Sequence, residues 1–146
     1  MAFMMKQELP RLHSAYSLEQ AVMGESSKVV CLRISQDHDP ECMKMDEILS
    51  SAKSTVEEGC NIFCVDVREV PECIPEFQLT EPLALIFFFK GKPLQLDLGE
   101  GPRAKITWAL GSTQEFVDLV EACHRGGHSG RDLIIAPRDY SMAFRY

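Results

Sequence analysis

The chain has 146 residues, of which 45% are hydrophobic and 25% are charged, values that fit one globular domain with a single core. Its formal net charge of −7 argues against a broad nucleic-acid surface, because phosphate binding requires clustered Lys and Arg. The longest apolar run, Leu83–Phe89, has the length of a strand and not of a membrane span, and the N-terminus lacks a signal-peptide pattern. We therefore expect a soluble, intracellular protein.

Charge is unevenly distributed along the chain. Residues 125–146 carry four arginines against Asp132 and Asp139, which gives this segment a charge of +2. Subtracting +2 from the total of −7 leaves −9 for the remainder of the chain. A body this acidic predicts that any contact with RNA is local or is made through partner proteins.

The N-terminal part of the sequence predicts a short helix, a strand and a longer helix. Ser17 can cap a helix over residues 18–23, which Gly24 closes. The β-branched run 28–34 predicts the strand. Apolar residues then recur at helical intervals, at positions 42, 45, 49, 52 and 56.

The middle of the chain predicts two buried strands and a hairpin. Residues 61–67 are apolar at most positions, as expected of a central parallel strand. A segment between two prolines, 71–75, leaves room for one helical turn. The run Leu83–Phe89 is the strongest strand signal, and a turn at 90–92 joins it to the alternating residues 93–98.

The last helix carries an apolar stripe from Phe116 to Cys123 and is expected to stop at Gly126 and Gly127. With a possible extra strand at 9–12, the order of elements is β-α-β-α-β-β-α. Right-handed crossovers leave few arrangements for this order. We predict an α/β, thioredoxin-like fold, with a central mixed sheet flanked by helices. Residues 1–126 would form this domain, and residues 127–146 a C-terminal extension that packs on the domain or binds a partner.

The position that carries the chemistry of a thioredoxin has changed in this chain. A Cys-x-x-Cys motif normally opens the helix after the first core strand. Here that place holds Asp39-Pro40-Glu41-Cys42, so the attacking cysteine is replaced by Asp39. A carboxylate cannot form the mixed disulfide that thiol exchange requires. Asp39 is suited instead to cap the helix, with Pro40 at the first helical position.

Two interpretations of Cys42 are open. It lies in the first turn of the helix, where the helix dipole lowers the pKa of a thiol, and a monothiol redox protein that uses Cys42 is the alternative function. Against this, Asp39 and Glu41 oppose thiolate formation, and the apolar stripe of the helix begins at Cys42. We favour a partly buried, unreactive thiol and predict no catalytic residue.

Pro82 completes this vestigial redox position together with Asp39 and Cys42. In the thioredoxin fold a cis-proline begins the third core strand and faces the active-site cysteine. Cis bonds are nearly confined to X–Pro, and a proline at the first residue of a strand removes no ladder hydrogen bond. Because Pro82 directly precedes the Phe-rich strand, we predict that its peptide bond is cis.

The other cysteines and histidines predict neither disulfides nor a metal site. Most of the cysteines lie in apolar runs, where free cysteine is a common core residue. Cys60 and Cys64 would lie about 13 Å apart on one strand, which is too far for two thiolates on one zinc ion. His124 and His128 have helical spacing, but we expect the helix to end between them. No metal and no cofactor are predicted.

The aromatic residues near the C-terminus predict contacts with other proteins. We interpret Trp108 as a core residue, with an interface anchor as the alternative. Residues 133–135 are strand-like, and beyond Pro137 the tail mixes Arg with aromatic residues, which carry much of the energy of interfaces. The predicted partner-binding residues are Arg125, Arg131, Arg138, Tyr140, Phe144, Arg145 and Tyr146.

Several stretches of the chain together resemble one family. They are Asp37 with Asp39-Pro40, residues 42–47, 65–67 with 69–71, 87–89, 97–99, 105–106 with 108–109, and, towards the C-terminus, 125–126, 130–131, 137, 139–141 and 145–146. These stretches resemble the small thioredoxin-like proteins of the spliceosomal U5 small nuclear ribonucleoprotein (snRNP), a family described as mitosis-linked in yeast. The run Cys-Met-Lys-Met-Asp at 42–46 and the ending at 139–146 are specific, because the thioredoxin fold requires neither.

The resemblance implies a nuclear component of pre-mRNA splicing in the U5 snRNP and the U4/U6·U5 tri-snRNP, held among large spliceosomal proteins. It further implies the absence of enzymatic activity. Independently of the resemblance, no cofactor and no membrane contact are predicted. The sequence departs from some relatives at Leu83, where they carry a cysteine near the lone Cys42. The resemblance therefore gives Cys42 no disulfide partner at that position.

Overall fold

The computed structural model describes residues 8–36 and 38–137. Its strands are β1 (Arg11–Leu12), β2 (Val29–Ser35), β3 (Cys60–Asp66), β4 (Leu83–Phe89), β5 (Lys92–Pro93), β6 (Gln95–Asp97), β7 (Pro102–Arg103) and β8 (Leu133–Ile135). Its helices are α1 (Ala15–Met23), α2 (Pro40–Val56), α3 (Cys73–Glu76) and α4 (Thr113–His128). The possible strand near the N-terminus is confirmed as β1.

The strands form a five-stranded mixed sheet and a small three-stranded sheet. The large sheet has the order β1-β3-β2-β4-β5. β1, β3 and β2 run parallel, whereas β2 pairs with β4, and β4 with β5, in antiparallel fashion. The small sheet has the order β7-β6-β8, with β6 and β8 parallel. The predicted mixed sheet flanked by helices is confirmed.

The large sheet is covered on both faces, which explains why β4 is a continuous apolar run. On one face Leu85 and Phe87 belong to the core that contains the apolar stripes of α2 and α4. On the other face Ile86 and Phe88 pack with residues of α1 and α3. Successive side chains of a strand point to opposite faces, so both faces of β4 had to be apolar.

The first helix begins three residues earlier than predicted. Ser14 is its N-cap and accepts a hydrogen bond from the backbone N–H of Ser17 at 3.1 Å. Ser17 returns the interaction, because its hydroxyl accepts from the N–H of Ser14 at 3.2 Å. Two serines spaced in this way form a capping box, and the expectation that Ser17 itself caps the helix is wrong.

The turn after β4 confirms only part of the predicted hairpin. Lys90 and Gly91 both have positive φ, 52° and 80°, the backbone of a tight hairpin turn. β5 then pairs with β4 over two residues, Lys92 and Pro93. The chain leaves the hairpin after Leu94, whose N–H still donates to the carbonyl of Phe87 at 2.9 Å, and enters the small sheet as β6.

The last helix does not stop at Gly126 and Gly127, as the sequence had suggested. α4 continues to His128 and ends at Ser129. A Cβ on Gly127 would lie 2.7 Å from Cγ of Phe89, and a Cβ on Gly126 would contact Cδ1 of Ile134. The two glycines therefore allow the end of α4 to lie close to β4 and β8, and the predicted boundary between residues 126 and 127 falls inside this helix.

The bond before Pro82 is trans, since the described residues contain no cis peptide bond. The expectation of a cis-proline is therefore wrong. Pro82 is exposed, so the surrounding packing does not oppose the intrinsic preference of X–Pro bonds for trans, about 0.5–1 kcal/mol.

Candidate functional site

Asp39 caps α2 at the position of the missing nucleophile. Its Oδ1 accepts hydrogen bonds from the backbone N–H groups of Glu41 at 3.0 Å and Cys42 at 3.3 Å. Pro40, which has no N–H to satisfy, occupies the first turn. The predicted structural role of Asp39 is confirmed, because its carboxylate caps the N-terminus of α2.

Cys42 is more deeply buried than predicted, with a relative exposure of 1%. Its Sγ lies 3.8 Å from Oδ2 of Asp46, one helical turn further along α2. Leu83, the residue that follows Pro82, is also buried. A thiol in this position is not accessible to a disulfide substrate without movement of the surrounding chain.

A buried ion pair that the sequence analysis missed lies beside Cys42. Arg33 projects from β2 with no exposed side-chain surface. Its Nε donates to Oδ1 of Asp46 at 2.9 Å, and Nη2 donates to Oδ2 at 3.2 Å. Burial lowers the pKa of Arg33, but Cys64 and Asp46 together raise it above its ordinary value, so the guanidinium stays charged. The one available signal was an arginine within an apolar strand, followed thirteen residues later by an aspartate.

Two hydrogen bonds hold the segments around this position. The hydroxyl of Ser35, the last residue of β2, donates to the carbonyl of Pro82 at 2.7 Å. The backbone N–H of Ala109 donates to Oε2 of Glu41 in the first turn of α2 at 2.9 Å. These bonds connect the end of β2 to the start of β4, and the start of α2 to the loop before α4. The thiol of the former redox position, on Cys42, is not exposed at the surface.

All six cysteines are free and buried. Burial raises the pKa of Cys60 to about 12, and that of Cys64 and of Cys73 to about 11. The pKa values of Cys31 and Cys123 are also raised, by burial first and by neighbouring thiols second. A thiol must ionise to attack or to bind a metal, and these five are held in the protonated form.

The two histidines near the C-terminus lie on one helix, contrary to the expectation that the helix ends between them. Their ring centroids are 4.3 Å apart, and a ring nitrogen of His128 lies 3.0 Å from the carbonyl of Ser27. Throughout residues 8–36 and 38–137, no three His, Cys, Asp or Glu side chains are grouped so that they could hold a metal ion.

Two of the predicted partner-binding residues lie in one groove. Arg125 on α4 and Arg131 after it line an open groove of about 330 Å³ beside β8, together with Leu133 and Ile135. Leu133 is 40% exposed and Ile135 is 68% exposed. We call this surface the arginine groove. The other predicted partner-binding residues lie outside the described residues: Arg138, Tyr140, Phe144, Arg145 and Tyr146.

Trp108 is a core residue, as expected, with a relative exposure of 5%. The guanidinium of Arg103 lies over its ring, 4.6 Å from the centroid. Its indole nitrogen is buried and has no hydrogen-bond partner within the described chain. The face of the ring is therefore covered by a cation of the same chain.

No helix within the described ranges combines the length and the apolar character needed to cross a bilayer.

The fold and the altered motif define a thioredoxin-like protein without a dithiol. A search of solved structures agrees on the fold. Thioredoxin from Plasmodium falciparum superposes with a TM-score of 0.59 at 13% identity, over 77% of this chain and 97% of that chain. Mitochondrial thioredoxin 3 from Saccharomyces cerevisiae gives a TM-score of 0.60 at 12% identity, over 77% of this chain and 93% of that chain. At such identities the likeness shows the fold alone.

The family follows from the sequence. The family model described as "Mitosis protein DIM1" matches residues 8–140, so the chain belongs to the DIM1 family. "Mitosis protein dim1" of Schizosaccharomyces pombe is 38% identical over 94% of this chain and 97% of its own length. "Spliceosomal protein DIB1" of Saccharomyces cerevisiae is 32% identical over 91% and 93%. "Thioredoxin-like protein 4B" of Homo sapiens is 31% identical over 90% and 88%.

Proposed function

We propose that this protein is a non-catalytic component of the U5 snRNP and of the U4/U6·U5 tri-snRNP in the nucleus, and that it supports pre-mRNA splicing through protein–protein contacts. The observation that carries the proposal is the match to DIM1 proteins over nearly the whole chain, together with relatives that are named spliceosomal proteins. The U5 assignment rests on the resemblance of the stretches described above.

The former redox position supports the non-enzymatic part of the proposal. Asp39 stands where a nucleophilic cysteine would be, and its carboxylate caps α2. Cys42 is buried, with its Sγ 3.8 Å from Oδ2 of Asp46, so a disulfide substrate cannot reach it unless the surrounding chain moves. The alternative, a monothiol redox protein that uses Cys42, lacks an accessible thiol.

The arginine groove supports the part of the proposal that concerns partners. Arg125 and Arg131 are exposed, and two apolar side chains beside them are exposed as well. Arginine together with an apolar surface is the composition that interfaces favour. We propose that this groove and the tail residues Arg138, Tyr140, Phe144, Arg145 and Tyr146 bind large spliceosomal proteins.

The charge of the chain supports indirect contact with RNA. The net charge of −7 disfavours a continuous phosphate-binding surface. Any RNA contact would then be local, near the arginine-containing segment, or made through the bound proteins.

Purification of the tagged full-length chain from its native cells tests the proposal. The expected result is enrichment of U5, U4 and U6 RNAs together with large splicing proteins. The double variant Arg125→Glu with Arg131→Glu, and deletion of residues 138–146, should each reduce this enrichment while thermal unfolding stays nearly unchanged. The double variant Lys90→Glu with Lys92→Glu is the matched control, since it reverses the same amount of charge at two residues that do not line the arginine groove.

Recovery of the chain without these RNAs would contradict the proposal. Thiol exchange with insulin or glutathione that is abolished by Cys42→Ser would establish the monothiol alternative instead. A large loss of thermal stability on deleting residues 138–146 would show that the tail belongs to the core of the domain.

A further inference from the structure

A second groove lies between α1 and α3. The proposed splicing contacts use the arginine groove and give this second groove no role. Its volume is about 620 Å³, and it lies over the face of β4 that carries Phe88. The arginine groove is formed by α4 and β8, which pack on the opposite face. The apolar residues that line the second groove include Leu18, Val22, Cys73, Phe77 and Phe88.

Large apolar side chains are exposed on the two helices that border this groove. Met23, at the end of α1, lines it and is 62% exposed. Tyr16, two turns earlier on the same side of α1, is 73% exposed, and Ile74 on α3 is 45% exposed. Half of the exposed large hydrophobic residues of the described chain therefore lie on these two helices, which is the pattern of a protein-binding site.

The rim of the groove is acidic. Glu19 on α1, and Glu72 and Glu76 at α3, line the groove and are exposed. Within residues 8–36 and 38–137, their carboxylates take part in no salt bridge and no side-chain hydrogen bond. Three carboxylates without a counter-ion around a concave surface create a negative potential that attracts cations.

The nearby lysines do not neutralise this rim. Lys92 pairs with Phe89 across the hairpin, so its side chain lies on the face opposite Phe88. Nζ of Lys90 lies 5.7 Å from the ring centroid of Phe89, on that same opposite face. The residues of this turn that line the groove are Gly91 and Pro93, neither of which carries a charge.

We infer that this acidic-rimmed groove binds a basic amphipathic segment of a partner protein. The apolar side chains of the segment would pack on Phe77 and Phe88, and its Lys or Arg side chains would lie against Glu19, Glu72 and Glu76. The apolar floor gives the segment its affinity, and the charges at the rim favour basic over acidic partners. Nucleic acid is excluded as the occupant, because its phosphates would be repelled by all three carboxylates.

Titration of the full-length, isotope-labelled chain with three synthetic peptides tests the inference by NMR. The probes are an amphipathic Leu/Lys peptide, a Leu/Glu peptide of the same pattern and a Lys/Ser peptide with the same charge as the first. The Leu/Lys peptide should shift the amide signals of α1, α3 and the end of β4, and it should bind most tightly of the three. The Leu/Glu peptide lacks the basic side chains for the acidic rim, and the Lys/Ser peptide lacks the apolar side chains for the floor of the groove.

Charge reversal on the chain supplies the matched comparison. The double variant Glu72→Lys with Glu76→Lys should weaken binding of the Leu/Lys peptide by about tenfold, the combined effect of two reversed rim charges. The double variant Glu57→Lys with Glu58→Lys changes the net charge equally at the far end of α2 and should leave the affinity unchanged. Thermal unfolding of both variants verifies that they fold.

Three results would overturn the inference. They are equal weakening by both double variants, equal binding of the Leu/Glu peptide, and signal shifts that lie outside the groove. A photo-crosslinker at Met23 in native cells distinguishes the occupants: crosslinks to Lys- and Arg-rich segments of other proteins support the inference, whereas crosslinks to residues 138–146 or to a second copy refute it. The peptide titration examines the groove between α1 and α3, whereas the RNA-association test examines the arginine groove and the tail. Failure of the proposed splicing function would therefore not change the outcome of the titration.

Discussion

Arg33 and Asp46 form a two-point ion pair beneath the start of α2, with the guanidinium fully buried and the carboxylate 34% exposed. The pair joins a central strand to the helix that begins at the former redox position. Nη1 of Arg33 also donates a hydrogen bond to the carbonyl oxygen of Val65 on β3, at 3.5 Å. Arg33 therefore connects β2, β3 and α2.

Replacement of Asp46 by Asn should destabilise the chain strongly. Removing one partner of a buried ion pair costs about 3–5 kcal/mol, because the attraction that offsets the burial of the other charge is lost. We expect about 3 kcal/mol, because the partial exposure of Asp46 lets water reach the site. Urea unfolding measures the difference. Glu58→Gln, an exposed carboxylate just beyond the far end of α2, is the control, and equal destabilisation by both changes would contradict the importance of the pair.

Replacement of Asp39 by Ala should cost about 1 kcal/mol, because it leaves two N–H groups at the start of α2 without their acceptor. Asp39→Asn should cost less, since the amide oxygen can accept the same hydrogen bonds. The free energy of unfolding, measured by denaturant titration, gives both values. Identical losses for Ala and Asn would show that the charge of Asp39, and not its capping oxygen, stabilises the helix.

The two glycines of α4 should respond differently to alanine. In Gly127→Ala the new Cβ meets the ring of Phe89, and overpacking of this kind costs about 1–3 kcal/mol, more than the helix propensity of alanine returns. In Gly126→Ala the new atom meets the end of the flexible Ile134 side chain, so we expect almost no loss. Thermal unfolding of both variants checks this order, and a more stable Gly127→Ala protein would refute the close packing.

The free energy of unfolding should fall as the pH rises above about 8.5, the pKa of an unperturbed thiol. Burial raises the pKa of Cys60 to about 12 and that of Cys64 to about 11. Between about pH 8.5 and these raised pKa values, the unfolded chain releases thiol protons that the folded chain keeps. The unfolded state is therefore stabilised relative to the folded state as the pH rises. Denaturant unfolding between about pH 7 and pH 10 measures the slope.

The variant Cys60→Ala isolates the contribution of one thiol to that slope. This variant lacks the Cys60 proton, which the folded unsubstituted chain retains above about pH 8.5. All tyrosines and lysines are present in both the variant and the unsubstituted chain, so their titration cancels in the comparison. Its stability should therefore decrease less steeply above about pH 8.5. Parallel curves for the two proteins would mean that Cys60 ionises as easily in the folded chain as in the unfolded chain.

The elements that could be predicted from the sequence are those set by nearby residues. The apolar run of β4 and the helical spacing of the α2 stripe are local patterns, and both elements form where the patterns lie. The cap at Asp39 is likewise local, because a side chain two or three residues away satisfies the first N–H groups. The replacement of the nucleophile could also be read directly, since it depends on residue type.

The order of the main elements, the thioredoxin-like fold and the loss of dithiol chemistry could all be predicted from local sequence patterns. The pairing of Arg33 with Asp46 and the continuation of α4 through Gly126 were decided by the tertiary structure. These outcomes depend on contacts between residues that are distant along the chain. Propensity and periodicity act over a few residues, whereas packing between a helix, a strand and a second sheet is decided by the volume and charge of side chains that meet only in the folded protein.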